Sequence, residues 1–248
     1  VIQDYQEALH WFLKGAEQGQ AMAQYFAGYC YYEGRGTTQN YQEALRWLTK
    51  SAEQEEIEAQ FLLGICYENG RGTAQDFQKA TNWYLKAALS GHTSAQFNLG
   101  NIYFVGKGVE PDYKEAVLWY SKAAENGHVK SQFVLAGCYY AGKGITKDLQ
   151  KAVKWFTKAA EQGEPTSQFF LGLSYYNGQG ITQDYEKAFE WFKKSAEDGQ
   201  ANAQYYLALC YYYGQGIAKD HEKAISLFTE AYLQGDLDAK EALKQLFN

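Results

Sequence analysis

The chain has 248 residues, with 23 lysines and arginines against 29 aspartates and glutamates, and a formal net charge of -6. Both signs of charge are spread along the chain, so it lacks the concentrated basic stripe that nucleic acids require, and we predict no nucleic-acid partner. No stretch approaches the roughly 18 consecutive apolar residues of a membrane span, and we predict no membrane insertion.

A strict period of 36 residues organises the chain. Every tryptophan keeps this step from Trp11 to Trp191, and an alanine recurs with the same step from Ala8 to Ala224. A period of this size is typical of a solenoid, in which each repeat is one small unit stacked on its neighbours. We therefore predict a single elongated domain over residues 1–248.

The first predicted element is residues 1–19, the second helix of an incomplete repeat. Residues 1–4 have the pattern of residues 181–184, which lie in the middle of a repeat. We therefore expect the chain to be part of a longer one, with any targeting signal outside it.

Six full repeats are predicted over residues 20–235, each with two helices. In the repeat of residues 92–127, the apolar spacing predicts helix A from Thr93 to about Val105, ending at a Gly-x-Gly turn. Helix B follows Asp112, an N-cap residue with Glu115 in the capping-box position, and stops at Gly127. Glu55 replaces the glycine that ends helix B elsewhere, so we expect an altered helix end there.

The four cysteines share one register of helix A, at Cys30, Cys66, Cys138 and Cys210. Stacked helices lie about 8–10 Å apart, whereas a disulfide needs Cα atoms within about 7 Å, so we predict four free thiols in a small buried slot. Free thiols are typical of a reducing compartment such as the cytoplasm.

The last predicted element is a capping helix over residues 236–248. Ala239, Leu243 and Phe247 keep the helix A register, but Glu241 and Lys244 replace an aromatic residue and a glycine. Such a polar outer face is typical of the end of a solenoid.

The pattern of residues 95–127, with Ala95, Gly106-x-Gly108, Asp112, Ala116 and Trp119 at fixed spacing, resembles the Sel-one-like repeat (SLR) family, which is related to the tetratricopeptide repeats. The resemblance covers essentially the whole chain. It implies an all-α, right-handed superhelical solenoid of 36-residue helix-turn-helix repeats, acting as an adaptor in protein complexes, often in bacteria and sometimes after export.

By analogy with tetratricopeptide geometry, helix A lines a concave groove, and its residues that vary between repeats are free to bind a partner. We predict that a peptide or partner segment binds there to a monomeric, non-catalytic scaffold, with no cofactor and no metal. The predicted partner-binding residues are Phe26, Tyr29, Leu62, Asn98, Asn101, Phe170, Leu173, Tyr206 and Tyr213.

Two alternatives stay open at this point. Some cysteine-rich members of the family are described as β-lactam-binding or β-lactamase proteins, although they have paired cysteines and this chain has at most one per repeat. The other alternative is a structural spacer between domains. The scattered histidines favour no catalytic site, and we interpret His92 and His128 as solvated turn residues.

Overall fold

A computed structural model describes residues 4–247, except the side chain of residue 247, and in this range the chain has fourteen α-helices and no strand. It divides into two compact units, Val1–Asn126 and Gly127–Asn248. Unit 1 holds the helices α1 (Tyr5–Glu17), α2 (Ala21–Glu33), α3 (Tyr41–Glu53), α4 (Ile57–Asn69), α5 (Phe77–Leu89), α6 (Thr93–Val105) and α7 (Tyr113–Glu125). Unit 2 holds α8 (Val129–Ala141), α9 (Leu149–Glu161), α10 (Pro165–Asn177), α11 (Tyr185–Glu197), α12 (Ala201–Tyr213), α13 (His221–Leu233) and α14 (Leu237–Phe247).

Helices A and B alternate along both units, with helix A at even numbers and helix B at odd ones. The observed bounds of α6 confirm the predicted helix A, and the helix pairs recur every 36 residues as in an all-α solenoid. The single domain and its terminal capping helix stay predictions, and residues 1–3 and the side chain of residue 247 lie outside the described part.

The Gly-x-Gly turn ends helix A and ties it to the preceding helix B. The first glycine, such as Gly142 with a φ of 72°, takes the left-handed conformation and donates its N–H to the carbonyl of Cys138. The second glycine, such as Gly180, lies against the backbone of Leu149, the first residue of α9. A side chain there would separate the loop from the helix.

The N-cap of helix B is confirmed, but the reciprocal half of the predicted capping box is wrong. The Asp112 carboxylate accepts hydrogen bonds from the N–H groups of Lys114 and Glu115. The N–H of Asp112 donates to the carbonyl of Tyr103 at 2.8 Å and therefore needs no bond from the Glu115 side chain. The cap residue thus fastens helix B to the helix A before it.

Small residues allow the two helices of a repeat to approach closely. A Cβ on Gly172 of α10 would lie 2.7 Å from the Phe192 ring of α11, and glycine avoids this collision. The recurring alanine of helix B is fully buried at Ala44, Ala80 and Ala188. Large rings therefore fill the space that these small residues leave.

The expectation of an altered helix end at Glu55 is wrong. Helix α3 ends at Glu53, like the other B helices, and Glu55 takes a φ of 66°, whereas glycine takes this conformation at the equivalent Gly19, Gly91 and Gly163. The local fold is kept although a left-handed conformation costs a non-glycine residue about 1–2 kcal/mol.

Helix α14 packs its apolar face onto α13. Ala239 is fully buried in a cluster with Phe228, and Leu243 packs against the same cluster. Glu241 and Lys244 lie on the exposed side and form an ion pair of 3.2 Å.

All four cysteines are free and buried, and the interpretation of their register as a buried slot is confirmed. Ile102 and Ser174, which replace cysteine in this register, are buried as well. Burial raises the pKa of the Cys66 thiol to about 12 and that of Cys138 to about 11. These thiols are therefore neutral near pH 7 and poor nucleophiles.

We expect iodoacetamide at pH 8 to modify the cysteines of the folded protein slowly. In urea, and without reductant, it should modify all four, which intact mass measures. Two adducts fewer in the unfolded chain would reveal a disulfide.

Because the pKa of Cys66 rises from 9.0 to about 12 on folding, the unfolded chain loses this proton first, and the free energy of unfolding falls as the pH rises above about 9.

Candidate functional site

The first predicted groove residues lie on α2 of unit 1. Phe26 is 37% exposed, and its ring stacks on Phe12 of α1 with 4.9 Å between the centroids. Tyr29 is half-buried, and the Arg35 guanidinium lies 5.1 Å from the centre of its ring. Both aromatic side chains keep a face that a partner can contact.

Leu62 does not belong to this surface. Only 8% of it is exposed, and it lies in a core cluster with Leu48 and Leu63. Its prediction as a partner-binding residue is therefore wrong, because the residue fills the space between α3 and α4.

Asn98 and Asn101 are occupied by buried tyrosines of helix B. The hydroxyl of Tyr84 donates to the Glu68 carboxylate at 2.7 Å, and the Asn98 side chain bonds to the same hydroxyl. The Tyr120 hydroxyl donates to Oδ1 of Asn101 at 2.8 Å. Burial and the Glu68 carboxylate raise the pKa of Tyr84, so the hydroxyl stays neutral and needs polar partners. Both side chains are thus engaged in the fold, and their role in binding a peptide backbone stays a prediction.

In unit 2 the predicted residues form an aromatic surface. The Phe170 ring stacks on Phe156 at 5.1 Å, and the Tyr206 ring stacks on Phe192 at 5.2 Å. Phe170 and Tyr206 are half-buried, and so is Leu173, which packs against the same cluster as both of them. One side of each side chain is therefore anchored while another remains accessible.

Tyr213 extends this surface at the end of α12 and is 56% exposed. Sequence reasoning missed Tyr140 of α8, which is 39% exposed and lies 6.3 Å from the Phe170 ring. We call Tyr140, Phe170, Leu173, Tyr206 and Tyr213 the aromatic stripe.

Gly137 of α8 makes a notch beside the aromatic stripe. It occupies the register of Leu173, and a Cβ built on it would meet no atom within 4 Å. Phe133, one turn before it, and Tyr140, three residues after it, both lie near Phe170. The missing side chain thus leaves open space at the edge of an aromatic cluster.

Acidic groups border the other edge of the stripe. Burial raises the pKa of Tyr206, and the carboxylates of Asp238 and Asp236 raise it further. The negative potential near Tyr206 favours a ligand with a positive charge at this end.

Packing between residues 14 positions apart accounts for these outcomes except that of Asn101, which accepts from Tyr120, 19 positions later. Helix B residues pair with helix A residues of matching chemistry, a signal present in the sequence. The pairs are Phe12 with Phe26, Leu48 with Leu62, Tyr84 with Asn98, Phe156 with Phe170, and Phe192 with Tyr206.

The interpretation of His92 and His128 as solvated turn residues is wrong. Nδ1 of His92 accepts a hydrogen bond from the N–H of Ala95, and its ring stacks on Phe61 at 4.2 Å. Nδ1 of His128 accepts from the N–H of Ser131, and burial lowers the pKa of His128. Both histidines are N-caps of helix A, for which the neutral ring is suited as an acceptor.

Residues 4–247 contain no group of three or more histidine, cysteine, aspartate or glutamate side chains placed to hold a metal ion. None of the helices in the same range is both long and apolar enough to cross a membrane.

One protein-family model matches most of the chain. The Sel1 repeat model matches residues 1–20, 21–56, 57–92, 93–128, 129–164, 165–200 and 201–236. Sel1 repeat proteins generally mediate protein–protein interaction and are typically not enzymes. A search of the curated proteins gave no match.

Solved structures that are similar to the chain include two repeat proteins from bacteria. The first is a protective antigen of uropathogenic Escherichia coli strains that displays an SLR fold, with 39% identity and a TM-score of 0.88 over 93% of this chain and 50% of the antigen. The chain therefore spans about half the length of that protein. The second is a Sel1 repeat protein from Oxalobacter formigenes, with 35% identity and a TM-score of 0.75 over 92% of this chain and 91% of the other.

Proposed function

This chain belongs to the Sel1 repeat family, and from that premise we propose that it is a non-catalytic scaffold that binds a segment of a partner protein on the helix A surface. The aromatic stripe of unit 2 is the principal contact. In unit 1 the proposal keeps Phe26 and Tyr29, because Leu62, Asn98 and Asn101 are engaged in the fold.

The observation that supports this proposal most is the exposure of anchored aromatic side chains. Tyr213 and Tyr140 are 56% and 39% exposed, although an aromatic side chain loses favourable burial when it faces water. Tyrosine is enriched at binding hot spots because it offers a large apolar area together with a hydrogen-bonding hydroxyl. Stacking on helix B holds Phe170 and Tyr206 in place, so less conformational entropy is lost on binding.

The notch at Gly137 specifies the ligand further. An apolar side chain of the partner fits over Gly137 beside Phe133 and Phe170, since no protein atom fills that space. The carboxylates of Asp236 and Asp238 near Tyr206 favour a basic residue at the other end. The proposed ligand is therefore a segment with an apolar anchor and a flanking lysine or arginine.

Site-specific photocrosslinking tests this function. A benzoylphenylalanine at position 213 should capture one specific protein from a lysate of the source cells, and the same group at position 232 should not. Tyr232 is a matched control, because it is 41% exposed and aromatic but lies on helix B. Equal capture at both positions, or none at position 213, would contradict the proposal.

With the captured segment as ligand, Tyr213→Ala and Gly137→Leu should each weaken binding by about 2 kcal/mol, or roughly 30-fold. The first variant removes a contact and the second fills the notch without removing any side chain. Titration calorimetry measures the affinities, and circular dichroism checks that helicity is unchanged. Tyr232→Ala should bind like the parent protein, and equal affinity in all three variants would exclude the stripe.

A further inference from the structure

The seventh helix B departs from the other six at one pair of positions. In each of the six, a tryptophan is followed three residues later by a lysine whose Nζ lies 4.1–4.9 Å from the centre of the tryptophan ring. Helix α13 has Leu227 and Glu230 at these positions. It therefore lacks both the indole and the cation above it.

The indole elsewhere covers a leucine of the preceding helix A. Trp119 packs in one core cluster with Leu99, and Trp191 packs against the cluster of Leu171. These two leucines are 0% and 1% exposed, whereas Leu207, which lies below Leu227, is 6% exposed. The shorter side chain of Leu227 thus leaves its leucine partly uncovered.

A cavity of about 420 Å³ lies between α11, α12 and α13, with Ala196, Gln204, Leu207, Tyr211 and Glu230 among its lining residues. In unit 1, the equivalent region is divided into two cavities, with Lys86 bordering both and Trp83 bordering one. Neither of those cavities reaches Leu63, the equivalent of Leu207. The cavities in unit 1 are larger, at about 680 and 590 Å³, so the cavity at α13 differs in reaching the leucine and not in being larger.

One carboxylate of the cavity occupies the position of a lysine in the other repeats. The Glu230 carboxylate stands where the other repeats have lysine, and its hydrogen bonds from Gln204 and Ser226 are long, at 3.4 Å each. Lys223, another lining residue, is paired with Asp220 at 3.1 Å. Lys193 and Glu197 also line the cavity, so its charges balance overall, and Glu230 is the carboxylate that a basic group of a ligand can meet in place of the missing lysine.

We propose that this cavity binds a tryptophan side chain of a partner protein, presented on a helical segment with a lysine or arginine three residues later. The indole covers Leu207 and packs beside Tyr211 and Leu227. The basic side chain meets the carboxylate of Glu230. The ligand thus reproduces what the other six B helices supply from within the chain.

The probe is a 12-residue alanine-based helical peptide with one 5-fluorotryptophan and a lysine three residues after it. Titration of the full chain, followed by ¹⁹F NMR, should show binding with a Kd below about 1 mM. A peptide with alanine for tryptophan should not bind, as measured by calorimetry, and a peptide with glutamate for lysine should bind several-fold more weakly.

The decisive protein variant is L227W, which restores the residue found in the other repeats and should cover Leu207, as Trp83 packs against the cluster of Leu63. We expect it to weaken peptide binding at least tenfold and to raise Tm. If L227W does not fold, L227F should weaken binding by a smaller factor. Y232A is the control and should bind the peptide like the parent chain, because Tyr232 is an exposed aromatic residue of the same helix that does not line the cavity.

Three results would overturn this inference. The first is that the peptide does not bind with a Kd below about 1 mM. The second is that the parent chain and L227W bind the peptide equally well. The third is that free indole binds as tightly as the peptide. The last result would indicate a small-molecule site.

Discussion

Gly180→Ala should lower the free energy of unfolding by about 2–5 kcal/mol. Gly180 has a φ of 73°, and a Cβ there would lie 2.5 Å from the carbonyl carbon of Leu149. The left-handed conformation costs an L-residue about 1–2 kcal/mol. Overpacking adds about 1–3 kcal/mol or more, because the obstacle is the backbone at the start of α9 and no flexible side chain can move away.

Gly163→Ala separates these two costs. Gly163 has a similar φ of 84°, but a Cβ there would meet no atom within 4 Å. This control should therefore show only the conformational cost of about 1–2 kcal/mol. Urea unfolding followed by circular dichroism measures both variants. Equal losses would mean that the contact between the loop and α9 is unimportant.

The sequence predicts the helices well because more than one local feature indicates where they begin and end. Apolar spacing and the Gly-x-Gly turn indicate the bounds of α6 at Thr93 and Val105, and the aspartate N-cap indicates the start of helix B. The error at Glu55 has a physical cause. Six equivalent glycines show which conformation is preferred there, but not that the fold is stable enough to force a glutamate into it.

The candidate site is predicted less well because exposure depends on contacts between helices. The spacing within α6 places Asn98 and Asn101 on one face, but it does not reveal that buried tyrosines use their amides. Leu62 and Phe26 occupy the same position of helix A, so the spacing predicts the same exposure for both. Leu62 is nevertheless 8% exposed and Phe26 37% exposed. Pairing each position with the residue 14 places earlier finds the contact of Tyr84 with Asn98, whereas the bond between Tyr120 and Asn101 spans 19 positions.

The position of a tryptophan within the repeat does not determine its burial either. Trp47 and Trp11 occupy the same register, yet they are 4% and 59% exposed. Trp47 packs with Ala16 and Ala27 in a core cluster, with Phe12 against the same cluster. Trp11 has Lys14 over its ring at 4.6 Å.

Trp47→Ala should therefore lower the free energy of unfolding by about 3–5 kcal/mol, the usual cost of removing a buried aromatic side chain. Trp11→Ala should cost no more than about 1 kcal/mol, since little more than an exposed cation–π contact is lost. Urea midpoints of the two variants, with unchanged slopes, measure the difference. Similar losses of unfolding free energy in the two variants would contradict this expectation. They would mean that the exposed indole of Trp11 stabilises unit 1 as much as the buried indole of Trp47.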